Sequence, residues 1–152
     1  SDGNMLLTSS NGFDGAGCEL RVWDRRKAGM VCDLVGHQQS VTCCAFVAFS
    51  SDTTASANMV VSGSQDATIR TWDVTSARCI NSASVDIKHR PTSLAVFAND
   101  GLTPTQARVA TASFSGGLGL WAITREGNLS LVDEASEEPL QQIEGSPTQT
   151  PY

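Results

Sequence analysis

The stretch that decides the fold is Val60-Val61-Ser62-Gly63-Ser64-Gln65-Asp66-Ala67-Thr68-Ile69-Arg70-Thr71-Trp72-Asp73. It reads as two short extended runs, 59–62 and Thr68–Asp73, separated by residues that favour a tight turn. An apolar run at 41–49 precedes them and another at 78–82 follows, so the unit holds four short strands. Ile69 and Trp72 stand three apart and point to opposite sides of an extended chain. Both can be buried only where the sheet is covered on both faces. No segment before residue 132 carries the helical apolar period over the roughly 11 residues that would mark a helix. The expected class is all-β.

Working outward, Trp23, Trp72 and Trp121 follow one another at intervals of 49 residues. Their flanks keep the same register. Leu20, Ile69 and Leu118 correspond, as do Val22, Thr71 and Leu120, and Val61-Ser62-Gly63-Ser64 matches Ala110-Thr111-Ala112-Ser113. A fixed period with matched flanks marks a repeat architecture, in which each unit buries its apolar face only against its neighbours.

Taken back to Gly36-His37, Val41 and Phe46, the pattern that ends at Trp72-Asp73 resembles the WD-repeat family. The resemblance covers one complete unit, 36–84, a partial one, 1–35, and a degenerate one, 85–132. It implies a β-propeller built of four-stranded antiparallel blades. It also implies a hydrogen-bonded tetrad of His, Ser or Thr, Asp and Trp, matched here by His37, Ser62, Asp66 and Trp72; Ser64, two residues from Ser62, is an alternative member. The chemistry is compatible: Asp66 can accept from His37, whose other nitrogen can reach Ser62, and Ser62 can accept from the Trp72 indole. A Ser–His–Asp hydrolase triad uses the same residue types. Here, though, the spacing is that of the structural motif, and Ser62 falls mid-strand instead of on a strained, exposed turn. The two histidines, His37 and His89, have no carboxylate or cysteine at metal spacing. The expectation is a protein with no metal, no cofactor and no catalytic role.

The flanking units depart from the pattern. The first keeps Trp23-Asp24 and places Thr8 near the Ser62 position, but its turn is stretched by Phe13-Asp14-Gly15-Ala16-Gly17. The third keeps Thr111 and Trp121, while Ser115 replaces the turn Asp and Ala122 replaces the Asp after Trp. Lys88 is placed at the His37 position, with His89 one residue late, so this unit is expected to rely on packing alone. The opening residues resemble the turn between the first and second strands of a blade. That leaves about two and three-quarter blades, against the roughly 4–8 of a closed propeller. The expectation is an incomplete ring whose missing blades come from the rest of a longer chain or from a partner.

Charge and cysteine usage narrow the partners. The net charge is −6, and the segment 133–152 holds Asp133, Glu134, Glu137, Glu138 and Glu144 with no basic residue. With Pro139, Pro147 and Pro151 it reads as an acidic, solvated tail. An acidic chain without a basic stripe argues against a nucleic-acid partner. No apolar run approaches the ~20 residues of a membrane helix, and the opening Ser1-Asp2-Gly3-Asn4 lacks the features of a signal peptide. Cys18, Cys32, Cys43, Cys44 and Cys79 are odd in number and lack paired spacing. They read as buried thiols of a reducing, intracellular compartment.

The resemblance implies a non-catalytic scaffold or adaptor that contacts other proteins. In a propeller, loops between first and second strands share a face with those between third and fourth strands. Two such loops, 50–58 and 99–106, are enlarged, and Arg25, Arg26 and Lys27 fall on the same face. Insertions that gather on one face often mark the binding face, so these three cations are the candidate contact. A narrower alternative comes from Trp23-Asp24-Arg25-Arg26. It matches the Trp-Asp-x-Arg motif of substrate receptors of cullin-type ubiquitin ligases, although the next repeat, Trp72-Asp73-Val74-Thr75, lacks the Arg.

Overall fold

The computed structural model describes residues 3–49, 58–98 and 105–135. Among the described residues eleven strands form three antiparallel sheets. The first holds β1 (Met5–Ser9), β2 (Leu20–Asp24) and β3 (Gly29–Leu34). The middle one holds β4 (Val41–Val47), β5 (Met59–Ser64), β6 (Thr68–Asp73) and β7 (Arg78–Ser84). The third holds β8 (Pro91–Ala98), β9 (Gln106–Ser113), β10 (Leu118–Thr124) and β11 (Leu129–Ala135). Within each sheet, strands adjacent in sequence are paired. Among the described residues the helical geometry is confined to a 3-10 turn, Ile87–His89.

Several strand ends differ from the sequence expectation. The first strand of the middle sheet stops at Val47, whereas the second and fourth run on to Ser64 and Ser84. β11 continues to Ala135, so it takes in Asp133, Glu134 and Ala135 from the segment read as tail. The remainder of that tail, 136–152, lies outside the described residues.

The sequence repeat reappears as a repeat of register. Leu6 pairs with Trp23, Val60 with Trp72 and Val109 with Trp121. Each tryptophan strand also meets its outer neighbour through a one-residue shift at the same point, between Val22 and Trp23, Thr71 and Trp72, and Leu120 and Trp121. A bulge there sharpens the local twist of the outer strand.

Burial follows from this geometry. One apolar cluster joins Val60 and Trp72 to Leu20, Val22 and Leu34 of the first sheet. The other joins Val61 and Ile69 to Ala107, Val109, Trp121 and Ile123 of the third. Ile69 and Trp72 are each 0% exposed, on opposite faces of one strand, so the middle sheet is covered on both sides. Every residue of β5 is buried. Close backbone contacts seal the boundary with the third sheet. A Cβ on Gly63 would lie 2.7 Å from the Pro91 ring and 2.8 Å from the Cys43 sulfur, so only a hydrogen fits. Thr42 Oγ1 donates to the Pro91 carbonyl and Thr71 Oγ1 to the Gly127 carbonyl, both at 2.6 Å.

The outer faces of the flanking sheets are less covered. Leu6 (53%) and Met30 (52%) are exposed on the first, as are Leu118 (50%) and Phe97 (43%) on the third. The adjacent Cys43 and Cys44 point to opposite faces, toward Pro91 and the first-sheet cluster respectively. All five thiols are free, but the buried-thiol expectation holds in full only for Cys18: Cys32, Cys43 and Cys44 are half-buried, and Cys79 is exposed on the edge strand β7. Among the described residues no helix is long and apolar enough to cross a membrane.

Candidate functional site

The Gly36-His37 approach, the middle of β5, the β5–β6 turn and β6 bring four side chains into one buried line. His37 Nδ1 lies 2.9 Å from Asp66 Oδ2, and its Nε2 lies 2.8 Å from Ser62 Oγ. The Trp72 indole donates to the same Ser62 oxygen at 2.8 Å. An ionised carboxylate only accepts, so Nδ1 carries the ring proton and Ser62 donates its hydroxyl hydrogen to Nε2. Each polar atom in the line then has a partner, the condition under which a buried network stabilises. The imidazole also meets the Trp72 ring edge-on, with centroids 5.7 Å apart. Ser64 is not a member: it donates to the Gln39 carbonyl and accepts from the Asp66 backbone N–H.

Electrostatics keep the line in one protonation state. Burial pushes the His37 imidazole below its ordinary value, and this outweighs the opposing pull of Asp66. The contact at 2.9 Å is therefore a hydrogen bond from a neutral ring, not an ion pair. Burial alone would raise the Asp66 carboxyl. Hydrogen bonds from Thr68, the Gln38 backbone and His37 more than offset that and hold it below the usual value.

Two of these supporting groups escaped the sequence reading. Thr68 Oγ1 donates to Asp66 Oδ1 at 2.6 Å, and the Gln38 N–H donates to Asp66 Oδ2 at 3.0 Å. An Asp in a turn followed two residues later by Thr is the signal that could have exposed the first.

The order Asp66–His37–Ser62 is that of a proton relay. Ser62, however, is 0% exposed, and its oxygen already accepts from Trp72, so no substrate carbonyl can reach it. Among the described residues no group of three His, Cys, Asp or Glu side chains could hold a metal ion.

The flanking sheets keep part of the pattern. Trp23 donates to Thr8 at 3.0 Å and Trp121 to Thr111 at 3.1 Å, so all three tryptophans use the same hydroxyl position. The third sheet thus does not rely on packing alone. Its histidine is displaced by the 3-10 turn, and His89 Nδ1 lies 3.2 Å from Ser115 Oγ, at the Asp66 position. Lys88 meets this turn only through its carbonyl, which accepts from Ser115 Oγ, so His89 and not Lys88 brings a side chain to it.

At the other end of the sheets, the β2–β3 turn carries Arg25, Arg26 and Lys27, all exposed. Arg26 folds back on Asp24, donating from Nε at 3.1 Å, from Nη2 at 2.9 Å and from its backbone N–H at 2.9 Å. These bonds hold the Asp24 carboxyl down to about 2. Backbone bonds from Arg25 to Asn4 and from Val74 to Asn58, each 2.8 Å, set the tryptophan-strand turns beside the connections between first and second strands. The tips of those connections, 50–57 and 99–104, lie outside the described residues. Between the β2–β3 and β6–β7 turns runs a cleft of about 690 Å³ whose walls include Arg26, Lys27, Met30 and Val74.

Compared with models of known protein families, the chain matches none.

Proposed function

We propose that the chain forms blades of a WD-repeat β-propeller and acts as a non-catalytic scaffold that holds other proteins in an assembly. The observation that carries this is the middle sheet, buried on both faces between two sheets of the same register. Sheets stacked in that way suit a radial array, which leaves strand ends and turns for contact. The partly exposed apolar outer faces support the proposal that further blades, from a longer chain or a partner, continue the stack. Partners would engage the turn face at Arg25, Arg26 and Lys27.

The Trp-Asp-x-Arg segment favours a second reading, a substrate receptor of a cullin-type ubiquitin ligase, because Arg26 stands exposed on that same turn. Affinity purification of the full-length protein tests both readings. Charge reversal at Arg25 and Lys27 should remove a set of stoichiometric partners while the far-ultraviolet spectrum stays unchanged. Loss of a ligase adaptor alone in Arg26→Glu would select the receptor. An unchanged partner set in all variants would refute the contact face.

A further inference from the structure

The middle and third sheets form one template filled in two ways. In the middle sheet, the space over Trp72 and Ser62 is occupied by the His37 ring and flanked by Arg70. A Cβ on Gly36 would come within 2.9 Å of the Arg70 guanidinium and 3.1 Å of the Trp72 ring. In the third sheet both fillers are gone. Gly119 pairs with Thr111 as Arg70 pairs with Ser62, so no side chain fills the place of Arg70 beside Trp121. The 3-10 turn draws His89 away until its Nδ1 sits where a Gly117 Cβ would lie, only 2.3 Å off.

What remains is a cleft of about 430 Å³ between the second and third sheets, lined by Val85, Asp86, His89, Thr111 and Trp121 among others. That volume falls within the roughly 300–1,000 Å³ of small-ligand sites.

The hydrogen-bond inventory of the cleft is incomplete in a specific way. Ser62 has two side-chain partners, the Trp72 N–H and the His37 Nε2 acceptor. Thr111, 7% exposed, keeps the Trp121 N–H but has no ring nitrogen to receive its hydrogen. The hydrogen is directed instead at the Gly119 carbonyl at 3.4 Å, beyond the ordinary O–H···O range of about 2.5–3.0 Å. Asp86 adds a carboxylate to the lining of the same cleft, and one of its oxygens accepts from the Lys88 N–H.

We infer that this cleft binds a planar imidazole-type ring in the place that His37 fills one sheet earlier. One ring nitrogen accepts from Thr111, and the ring N–H is directed at Asp86. Trp121 and Val85 provide the apolar walls. The ring comes either as a free heterocycle or as the histidine side chain of a bound peptide. The site is distinct from the cationic turn face at the other end of the sheets, so its failure would leave the scaffold reading intact.

Calorimetric titration of the full chain at pH 8, where imidazole rings are neutral, tests the proposal with benzimidazole, its all-carbon isostere indene, and the peptide Gly-His-Gly. Benzimidazole should bind saturably and indene about fivefold or more weakly, the effect of one hydrogen bond. Thr111→Val should weaken benzimidazole by a similar factor, and Thr111→Ser should restore it, with unchanged far-ultraviolet spectra in both. Tighter binding of Gly-His-Gly than of benzimidazole would assign the ring to a peptide, and the reverse order to a free heterocycle. No saturable binding by either nitrogen ligand, equal binding of indene, or an unaffected Thr111→Val variant would overturn the site.

Discussion

Replacing Ser62 with alanine removes one oxygen atom and two hydrogen bonds. The Trp72 indole N–H and the His37 Nε2 both point at that oxygen from 2.8 Å, and all three residues are at most 1% exposed. Water cannot substitute in a site so closed, so each orphaned group bears its desolvation cost, about 1–3 kcal/mol apiece. The expected loss is about 2–6 kcal/mol, a large part of the roughly 5–15 kcal/mol that holds a domain together. Thr111→Val gives the internal comparison: it orphans the Trp121 N–H but no histidine, so about half the loss is expected. Urea unfolding followed by circular dichroism measures both through the midpoint and slope. The double variant Ser62→Ala, His37→Phe removes one of the orphans, and its cost should fall short of the sum of the singles by about 1 kcal/mol or more. A Ser62→Ala cost below about 1 kcal/mol, or singles that add within about 0.5 kcal/mol, would refute the claim that the four side chains act together.

Two further outcomes follow from the same geometry. His37 titrates below 6.5 when folded, because burial disfavours its charged form, so between the two values the unfolded chain binds more protons. Its contribution is complete above pH 6.5 and declines as the pH falls toward the folded value. The difference in unfolding free energy between the wild type and His37→Phe should therefore shrink over that window, and a flat difference would contradict a neutral ring. Gly127 has φ +87°, and a Cβ there would lie 2.5 Å from Ile80 Cδ1. Gly127→Ala should cost about 1–3 kcal/mol from backbone strain and crowding, part of it recovered by adding Ile80→Ala, as read by thermal unfolding.

Much of the architecture was legible because it rests on period and alternation. The 49-residue spacing of tryptophans and the opposed Ile69 and Trp72 required a sheet covered on both faces, and both residues are buried there. The four-residue line was legible because its members are chemically distinctive. Choosing between Ser62 and Ser64 was not, since the two differ in sequence only by position; the strand register opposite Trp72 decides it. The displacement of His89 was equally hidden. It depends on how Asp86 caps the Lys88 N–H to start a 3-10 turn, a local hydrogen bond with no periodic trace. The third sheet's Thr111–Trp121 bond stands in the sequence as a matched pair, and it forms without the aspartate that a full four-residue line needs.

The double covering of β5 and β6 has a bearing on how the molecule comes apart. In the chain 1–152 taken alone, opening the middle sheet separates two packed boundaries at once, whereas the first or third can detach by losing one. Backbone amides of β5 and β6 in this chain alone should accordingly exchange with deuterium more slowly than those of β2 or β10, and its three sheets should open from the flanks inward. The Ser62 line would then be among the last parts to meet solvent, guarding a sheet whose neighbours have already gone.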